Sequence, residues 1–175
     1  LSPDAGKTWN KLFADPEFEK TGALGLFDAN TLVYTMKGKG IQRSTDAGKT
    51  WAKVSELEPW GRVIRVRKGI GYWLSKEGMR VSKDQGATWT LQGTAVDATI
   101  GPMFDPKDEN RFAAAGNKGI FTTSDGGATW TSVGPLPEKF SLPKPGWYAT
   151  VDWDPGRGIF YASQMGKGTF RLETK

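Results

Sequence analysis

The sequence lacks both cysteine and histidine among its 175 residues. Without cysteine there is neither a disulfide framework nor a thiolate site, and both an exported and a cytosolic protein remain open. Without histidine the chain has neither the commonest general base nor the commonest metal ligand. Any catalysis would therefore depend on carboxylate, tyrosine or lysine side chains, and we expect no metal and no cofactor.

Long apolar stretches and clusters of one charge are also missing. No apolar run approaches the roughly 18 residues of a membrane helix, so we expect no membrane association. The formal charge is +5, but the 24 Lys and Arg residues are dispersed. Because proteins that neutralise phosphates cluster their basic residues, nucleic-acid binding is disfavoured. No stretch combines a basic start with an apolar core, so we expect no signal peptide within this sequence.

Glycine, proline and tryptophan are abundant instead, with 23, 10 and 8 copies. This mixture of turn-forming residues and large flat side chains is typical of many short strands joined by tight turns. The length suits one domain with its own core. We therefore treat residues 1–175 as a single domain.

One octapeptide occurs four times, and its copies are named box 1 to box 4: SPDAGKTW at 2–9, STDAGKTW at 44–51, SKDQGATW at 82–89 and TSDGGATW at 123–130. Their aspartates are separated by 42, 38 and 41 residues, which is close to the period of a four-stranded propeller blade. Between the boxes, an apolar run that closes in a turn is followed by a Gly-turn hairpin. We therefore predict an all-β fold, a β-propeller whose antiparallel blades read strand A, B, C, box and strand D.

The two ends of the chain complement each other in this register. The last hairpin supplies strands without a box, whereas the sequence opens on box 1 and a strand D. We predict blades at 23–54, 62–92, 99–133 and 148–172, the last closed by residues 2–13. Such closure would remove open sheet edges. Alternatively, the four blades are part of a larger ring that a further segment or a second copy completes.

The four octapeptides match the S-x-D-x-G-x-T-W pattern of the Asp-box, or bacterial neuraminidase repeat, and the chain resembles this family of β-propellers over essentially its whole length. In such a box the carboxylate accepts hydrogen bonds from the turn, the glycine tolerates positive φ and the tryptophan packs between blades. One carboxylate per blade cannot converge on a single ion, and in this family the boxes lie opposite the active site. We therefore interpret these residues as structural: Asp4, Gly6, Trp9, Asp46, Gly48, Trp51, Asp84, Gly86, Trp89, Asp125, Gly127 and Trp130.

By the same resemblance, the functional face is formed by the B–C turns and the loops between blades. The turns carry a ring of lysines that would attract an anionic ligand, or that only keeps the turns soluble: Lys37, Lys39, Lys76, Lys118 and Lys167. The candidate ligand-binding residues are Trp60, Arg62, Arg65, Trp147, Tyr148 and Asp152. Tryptophans at the mouth of a channel suit sugar stacking, although they also serve as loop anchors. For Arg65 and Asp152 the alternative is an ion pair between blades.

The resemblance implies several activities. A sialidase-like site would need three arginines, a tyrosine nucleophile, an aspartic acid and an R-I-P motif, and the sequence lacks that motif. A xyloglucanase-like site would need two carboxylates across a cleft between two propellers. Asp152 and Glu58 would be the first carboxylates to test. Sortilin-type receptors and a photosystem II assembly factor use the propeller for binding alone.

We therefore expect a binding scaffold for carbohydrate or for an extended partner, in a secreted or periplasmic rather than a cytoplasmic protein. The alternatives are a glycoside hydrolase, or a fragment of one, and a protein-assembly factor. The partners to consider are a polysaccharide, another protein, and a second copy of the chain that completes a larger ring as a homodimer.

Overall fold

The computed structural model describes residues 4–9, 21–61, 63–136 and 149–174. Every regular element in these ranges is a β-strand, and the strands form four sheets. The first sheet contains β1 (Thr21–Leu26), β2 (Leu32–Met36), β3 (Gly40–Ser44) and β4 (Ala52–Ser55), and the second contains β5 (Ile64–Arg67), β6 (Ile70–Ser75), β7 (Gly78–Ser82) and β8 (Thr90–Gln92). The third contains β9 (Ile100–Phe104), β10 (Phe112–Gly116), β11 (Gly119–Thr123) and β12 (Thr131–Gly134), and the fourth contains β13 (Ala149–Asp154), β14 (Ile159–Gln164) and β15 (Gly168–Glu173).

Each sheet is an antiparallel meander in which neighbours along the chain are neighbours in the sheet. The first three sheets therefore have the predicted strands A, B, C and D, with boxes 2, 3 and 4 joining strand C to strand D. This confirms the predicted all-β architecture of antiparallel blades. None of the described segments contains a helix long and apolar enough to cross a membrane.

The hydrophobic core lies between successive sheets rather than within one of them. Strand B of the first sheet and strand B of the third, β2 and β10, are buried along their whole length. A strand buried on both faces needs a neighbour on each side, and this explains the apolar runs in the sequence. The core between the first and second sheets is centred on Trp73. The core between the second and third sheets is centred on Phe112, and the core between the third and fourth sheets is centred on Phe160.

Close approach of the backbone requires glycine where the B–C turns meet the loops between sheets. At Gly40 the backbone has φ +68°, and a Cβ would lie 2.0 Å from the carbonyl oxygen of Ser55. Only glycine meets both conditions. The B–C turn of the first sheet is thereby held against the loop that leads to β5.

The fourth sheet has three strands in the part of the chain that the structure describes. The predicted strand D after box 1 begins beyond Trp9, and residues 10–20 lie outside the described ranges. Closure of the fourth blade by residues 2–13 therefore stays a prediction.

Candidate functional site

The box residues form a closed set of local hydrogen bonds. In box 2, Asp46 Oδ1 accepts from the Thr50 backbone N–H at 2.9 Å and from the Ser44 hydroxyl at 2.8 Å, while Oδ2 accepts from the Thr50 hydroxyl at 2.6 Å. The Gly48 N–H donates to Ser44 Oγ at 2.9 Å, and the Trp51 indole N–H donates to the Gly48 carbonyl at 3.1 Å. The Thr50 hydroxyl, followed by the Thr50 N–H and the Ser44 hydroxyl, lowers the pKa of Asp46 to about 2.

The other boxes repeat this geometry. Asp84 accepts from Thr88, and Asp125 accepts from Thr129, each through one backbone N–H and one hydroxyl. Bonds from Thr129 and the Thr123 hydroxyl likewise lower the pKa of Asp125 to about 2. In each of these boxes the carboxylate accepts hydrogen bonds from donors within its own turn, which agrees with a structural role.

Box 1 differs in the placement of its tryptophan. Asp4 accepts from the Thr8 N–H at 2.8 Å and from the Thr8 hydroxyl at 2.7 Å, so the turn itself is formed. Trp89 of box 3 is only 9% exposed, whereas Trp9 is 76% exposed. Trp9 therefore does not pack between blades as the box pattern predicts, because in the described residues no second sheet covers it.

Trp60 is the first of the predicted ligand-binding residues, and it is half-buried. Its indole N–H donates to the carbonyl of Ala98 at 3.1 Å, which ties the loop after the first sheet to the segment before β9. Trp60 is thus placed as a loop anchor. Arg62, Trp147 and Tyr148 lie outside the described residues.

A cleft of about 320 Å³ lies where the A strands of the second, third and fourth sheets meet. It is lined by Val63, Arg65, Ile100, Gly101, Met103, Ala149, Thr150, Val151 and Asp152. Arg65 and Asp152 are both exposed, and the structure shows no ion pair between them. The cleft thus brings one predicted cation and one predicted carboxylate to a shared, open surface, with apolar side chains beneath them.

The face of the fourth sheet next to this cleft carries functional groups that the sequence reasoning missed. Strand pairing aligns Asp152, Tyr161 and Arg171 in one cross-strand row, which we call the polar row. The adjoining row contains three hydroxyl side chains: Thr150, Ser163 and Thr169. Tyr161 is 40% exposed between the carboxylate and the guanidinium.

The same face is apolar in the other sheets. The position of Thr169 on strand C is taken by Ile41, Met79 and Ile120 there, and all three are buried against the next sheet. The alternation of polar residues in β14 and β15 is a signal that could have identified the polar row from the sequence.

The lysine ring is only partly available to a ligand. Lys37, Lys76, Lys118 and Lys167 are exposed and Lys39 is half-buried. Lys118 lies 3.7 Å from the Asp97 carboxylate, which offsets its charge. Glu58, the other carboxylate considered for catalysis, accepts the Gly38 N–H at 3.1 and 3.0 Å and so holds a B–C turn. The described residues contain no cluster of three or more Asp and Glu side chains suited to a metal ion.

Comparison with known proteins supports the interpretation of the boxes. The model of the BNR/Asp-box repeat matches residues 42–53, which include box 2. The chain therefore contains an Asp-box repeat. The chain is 32% identical to the dispase autolysis-inducing protein of Streptomyces mobaraensis over 66% of its own length and 31% of that protein. It is 25% identical to a xyloglucanase of a Paenibacillus species over 98% of its own length and 19% of that enzyme.

Solved structures share the architecture. A GH74 enzyme of Niastella koreensis superposes on 90% of the chain with a TM-score of 0.59 at 19% identity, and the match covers 29% of that enzyme. A Bacteroides thetaiotaomicron protein of unknown function matches 88% of the chain, and 41% of its own, with a TM-score of 0.62 at 16% identity. These matches confirm the propeller fold. The chain spans between about a sixth and a third of the curated relatives it matches.

Proposed function

We propose that this protein is a carbohydrate-binding propeller module that holds a stretch of polysaccharide along the cleft and the polar row. The observation that carries the proposal is the arrangement around Asp152, which lines the cleft with Arg65 and stands in register with Tyr161. An exposed aromatic ring between a carboxylate and a guanidinium suits a pyranose, because the ring stacks on C–H groups while the charged groups bind hydroxyls.

The surroundings of the polar row support a sugar rather than an apolar ligand. The adjacent row consists of hydroxyl side chains, and Thr169 Oγ1 donates to Ser163 Oγ at 3.2 Å. Hydroxyls both donate and accept hydrogen bonds, as the sugar hydroxyls do. A relative that covers nearly the whole chain is named a xyloglucanase, and this supports a polysaccharide as the ligand class.

Binding without hydrolysis is the simpler form of the proposal. Glycoside hydrolysis generally uses two carboxyl groups roughly 5 to 9.5 Å apart. Asp152 is the one carboxylate among the described residues that line the cleft. Glu58 is bound to the Gly38 backbone of a different turn. Hydrolysis is the second candidate function, because the xyloglucanase similarity favours it, and it would require a second carboxylate from another part of a longer protein.

The proposal includes a secreted or periplasmic location, because plant and acidic polysaccharides occur outside the cytoplasm. Detection of the protein in the culture medium or the periplasmic fraction of its host would test this part. Retention in the cytoplasm would contradict it.

The binding proposal is tested with a panel of plant and acidic polysaccharides, including xyloglucan, by thermal shift and titration calorimetry. We expect at least one of them to raise the melting temperature, because a ligand that binds only the folded state stabilises it. Asp152→Asn and Tyr161→Ala should each weaken binding about tenfold, which corresponds to about 1.4 kcal/mol. Lys83→Gln, at an exposed position of box 3 outside the cleft, is the matched control and should bind as the wild type does.

Three outcomes would overturn it. No polysaccharide alters the melting temperature, or the two site variants bind normally, or the protein hydrolyses a polysaccharide and Asp152→Asn abolishes turnover. A protein partner that is captured by the wild type and lost on charge reversal of the turn lysines would instead support an assembly factor.

A further inference from the structure

An apolar groove of about 410 Å³ lies between the third and fourth sheets, on the side of β15 that has no further strand in the described residues. Its apolar lining comes from strands of both sheets and from the segment after β12: Ile120, Leu136, Phe160, Ala162, Phe170 and Leu172. The groove shares no lining residue with the cleft, although Arg171 of the polar row also lines the groove.

The corresponding space between the second and third sheets is filled by a box tryptophan. Trp130 of box 4 packs there against a core that contains Met79, Phe112 and Ala114, with its ring centroid 6.0 Å from that of Phe112. Between the first and second sheets, Trp89 of box 3 does the same beside Trp73, at 6.4 Å. A box tryptophan thus completes each of these two cores.

Residue by residue, the groove matches the filled space between the second and third sheets. Phe160 pairs with strand A as Phe112 does, Ala162 follows it as Ala114 follows Phe112, and Ile120 stands where Met79 stands in the sheet before. The lining is therefore that of a box-tryptophan site. Among the described residues that line the groove there is no tryptophan, whereas each of the other two sites contains one.

Box 1 carries the complementary group. Its turn is closed by the Asp4–Thr8 hydrogen bonds, yet its indole is 76% exposed and does not line the groove. The described residues thus contain both a formed box with an exposed tryptophan and a groove of this kind that no tryptophan lines.

We propose that the groove binds box 1 of a second copy of this chain, with Trp9 of that copy inserted against Phe160 and Ala162. Exchange of an element between identical chains is a low-cost route to assembly, because the contacts it makes are already encoded in the fold. In the third sheet, Thr131 follows the box tryptophan and pairs with Thr122 of strand C. The same register would set position 10 of the second copy opposite Arg171 of β15.

Disulfide cross-linking tests the register, and the absence of native cysteine makes it specific. Asn10→Cys and Arg171→Cys are prepared as separate single variants, mixed and oxidised. We expect a covalent heterodimer, because cross-strand partners meet the distance requirement of a disulfide. As a control, Asn10→Cys mixed with Lys118→Cys, in an exposed turn of the third sheet, should give none.

The double variant separates a second copy from closure within one chain. If the proposal holds, Asn10→Cys/Arg171→Cys forms covalent dimers or larger species at high concentration. A disulfide within a monomer would show that the chain fills its own groove, and would overturn the proposal. Absence of any cross-link in the mixture and in the double variant would also overturn it.

Sedimentation velocity provides a second readout that requires no engineered bond. We expect the wild type to sediment as a dimer or larger species and Trp9→Ala to sediment as a monomer. Met165→Ala removes another exposed side chain, from the β14–β15 turn, and should leave the assembly unchanged. Circular dichroism checks that the variants are folded, and a wild type that stays monomeric at all accessible concentrations would contradict the proposal.

Discussion

The residue after the aspartate of each box adopts a left-handed backbone conformation. In boxes 1, 2 and 3 this residue is Ala5, Ala47 and Gln85, with φ of 56°, 59° and 56°, and in box 4 it is Gly126, with φ of 74°. An L-residue in this region costs roughly 1–2 kcal/mol, and glycine avoids the cost. Three of the four boxes therefore hold strain that their hydrogen bonds offset.

Ala47→Gly should relieve this strain in box 2. We expect the free energy of unfolding to rise by about 0.5–1 kcal/mol, since the greater freedom of glycine in the unfolded chain offsets part of the gain. Ala52→Gly, at an exposed position in strand β4 where φ is ordinary, is the control and should lower stability by a similar amount. Urea denaturation measures both, and destabilisation of equal size in the two variants would contradict the strain argument.

The box carboxylates make stability depend on acid pH. The pKa of Asp46 and that of Asp125 are lowered to about 2 by hydroxyl and backbone donors, below the ordinary value of about 3.9. The stability that these carboxylates contribute is therefore fully present above about pH 4 and is lost as the pH falls towards 2.

Asp46→Asn should lower the melting temperature at neutral pH and reduce its further decline between about pH 4 and pH 2. Lys49→Gln, an exposed change in the same box, should preserve the acid decline. Melting curves over this pH range measure the effect, and identical declines in the wild type and Asp46→Asn would count against it.

At the scale of elements, Arg111 joins the third sheet to the fourth. Its Nη1 donates to Asp105 Oδ2 at 3.0 Å and to the Pro155 carbonyl at 3.4 Å, and its Cζ lies 5.0 Å from the centre of the Trp153 ring. The pKa of Asp105 is lowered, mainly by the hydrogen bond from the Lys107 backbone N–H. Desolvation raises this pKa, and the charge and hydrogen bond of Arg111 lower it further.

Arg111→Met should lower the free energy of unfolding by about 1–3 kcal/mol, because it removes the cationic partner of a buried carboxylate and the contact with the Trp153 face. Arg157→Met is the matched control, because Arg157 is exposed and lies 3.8 Å from Asp154. Its loss should cost under about 1 kcal/mol. Equal costs in the two variants would show that Arg111 does not connect the sheets.

The loops between sheets also rely on close packing of the B–C turns. A Cβ at Gly116, the last residue of β10, would lie 1.9 Å from the carbonyl oxygen of Asp97. Gly116→Ala should therefore displace the loop before β9 and cost about 2–3 kcal/mol, as overpacking generally does. At Gly156 the nearest atom to a Cβ is a side-chain oxygen at 3.4 Å. Gly156→Ala should thus change the denaturation midpoint little, and a similar loss in both would contradict the packing argument.

At the scale of the whole molecule, docking of box 1 on a second copy links stability to concentration. A partner that binds only the folded chain makes the melting temperature rise with protein concentration. We expect this rise for the wild type and a concentration-independent value for Trp9→Ala. Scanning calorimetry over a hundredfold range of concentration measures it, and a constant wild-type value would oppose the assembly.

The sheets could be predicted from the sequence because the signals that define them are local. Each box contains its own turn bonds, and the spacing of the boxes sets four strands per repeat. The role of Trp60 could not be predicted in the same way, because its hydrogen-bond acceptor, Ala98, is 38 residues away. The alignment of the A strands predicted that Arg65 and Asp152 would lie near each other, and both line one cleft in the structure. Alternation within β14 could show that Tyr161 shares a face with polar residues. It could not show that this face is exposed, because exposure depends on what packs against the fourth sheet.

The hydrogen bonds of each box are made within the box itself, and this affects how a repetitive chain can evolve. A stretch of about 40 residues that is duplicated carries a complete hairpin turn with it, since no donor from elsewhere in the chain is needed. The new unit requires only an apolar neighbour on each side. Gene duplication can therefore lengthen or shorten the array by whole units while every turn continues to fold, and sequence divergence can then concentrate in the loops that face a ligand.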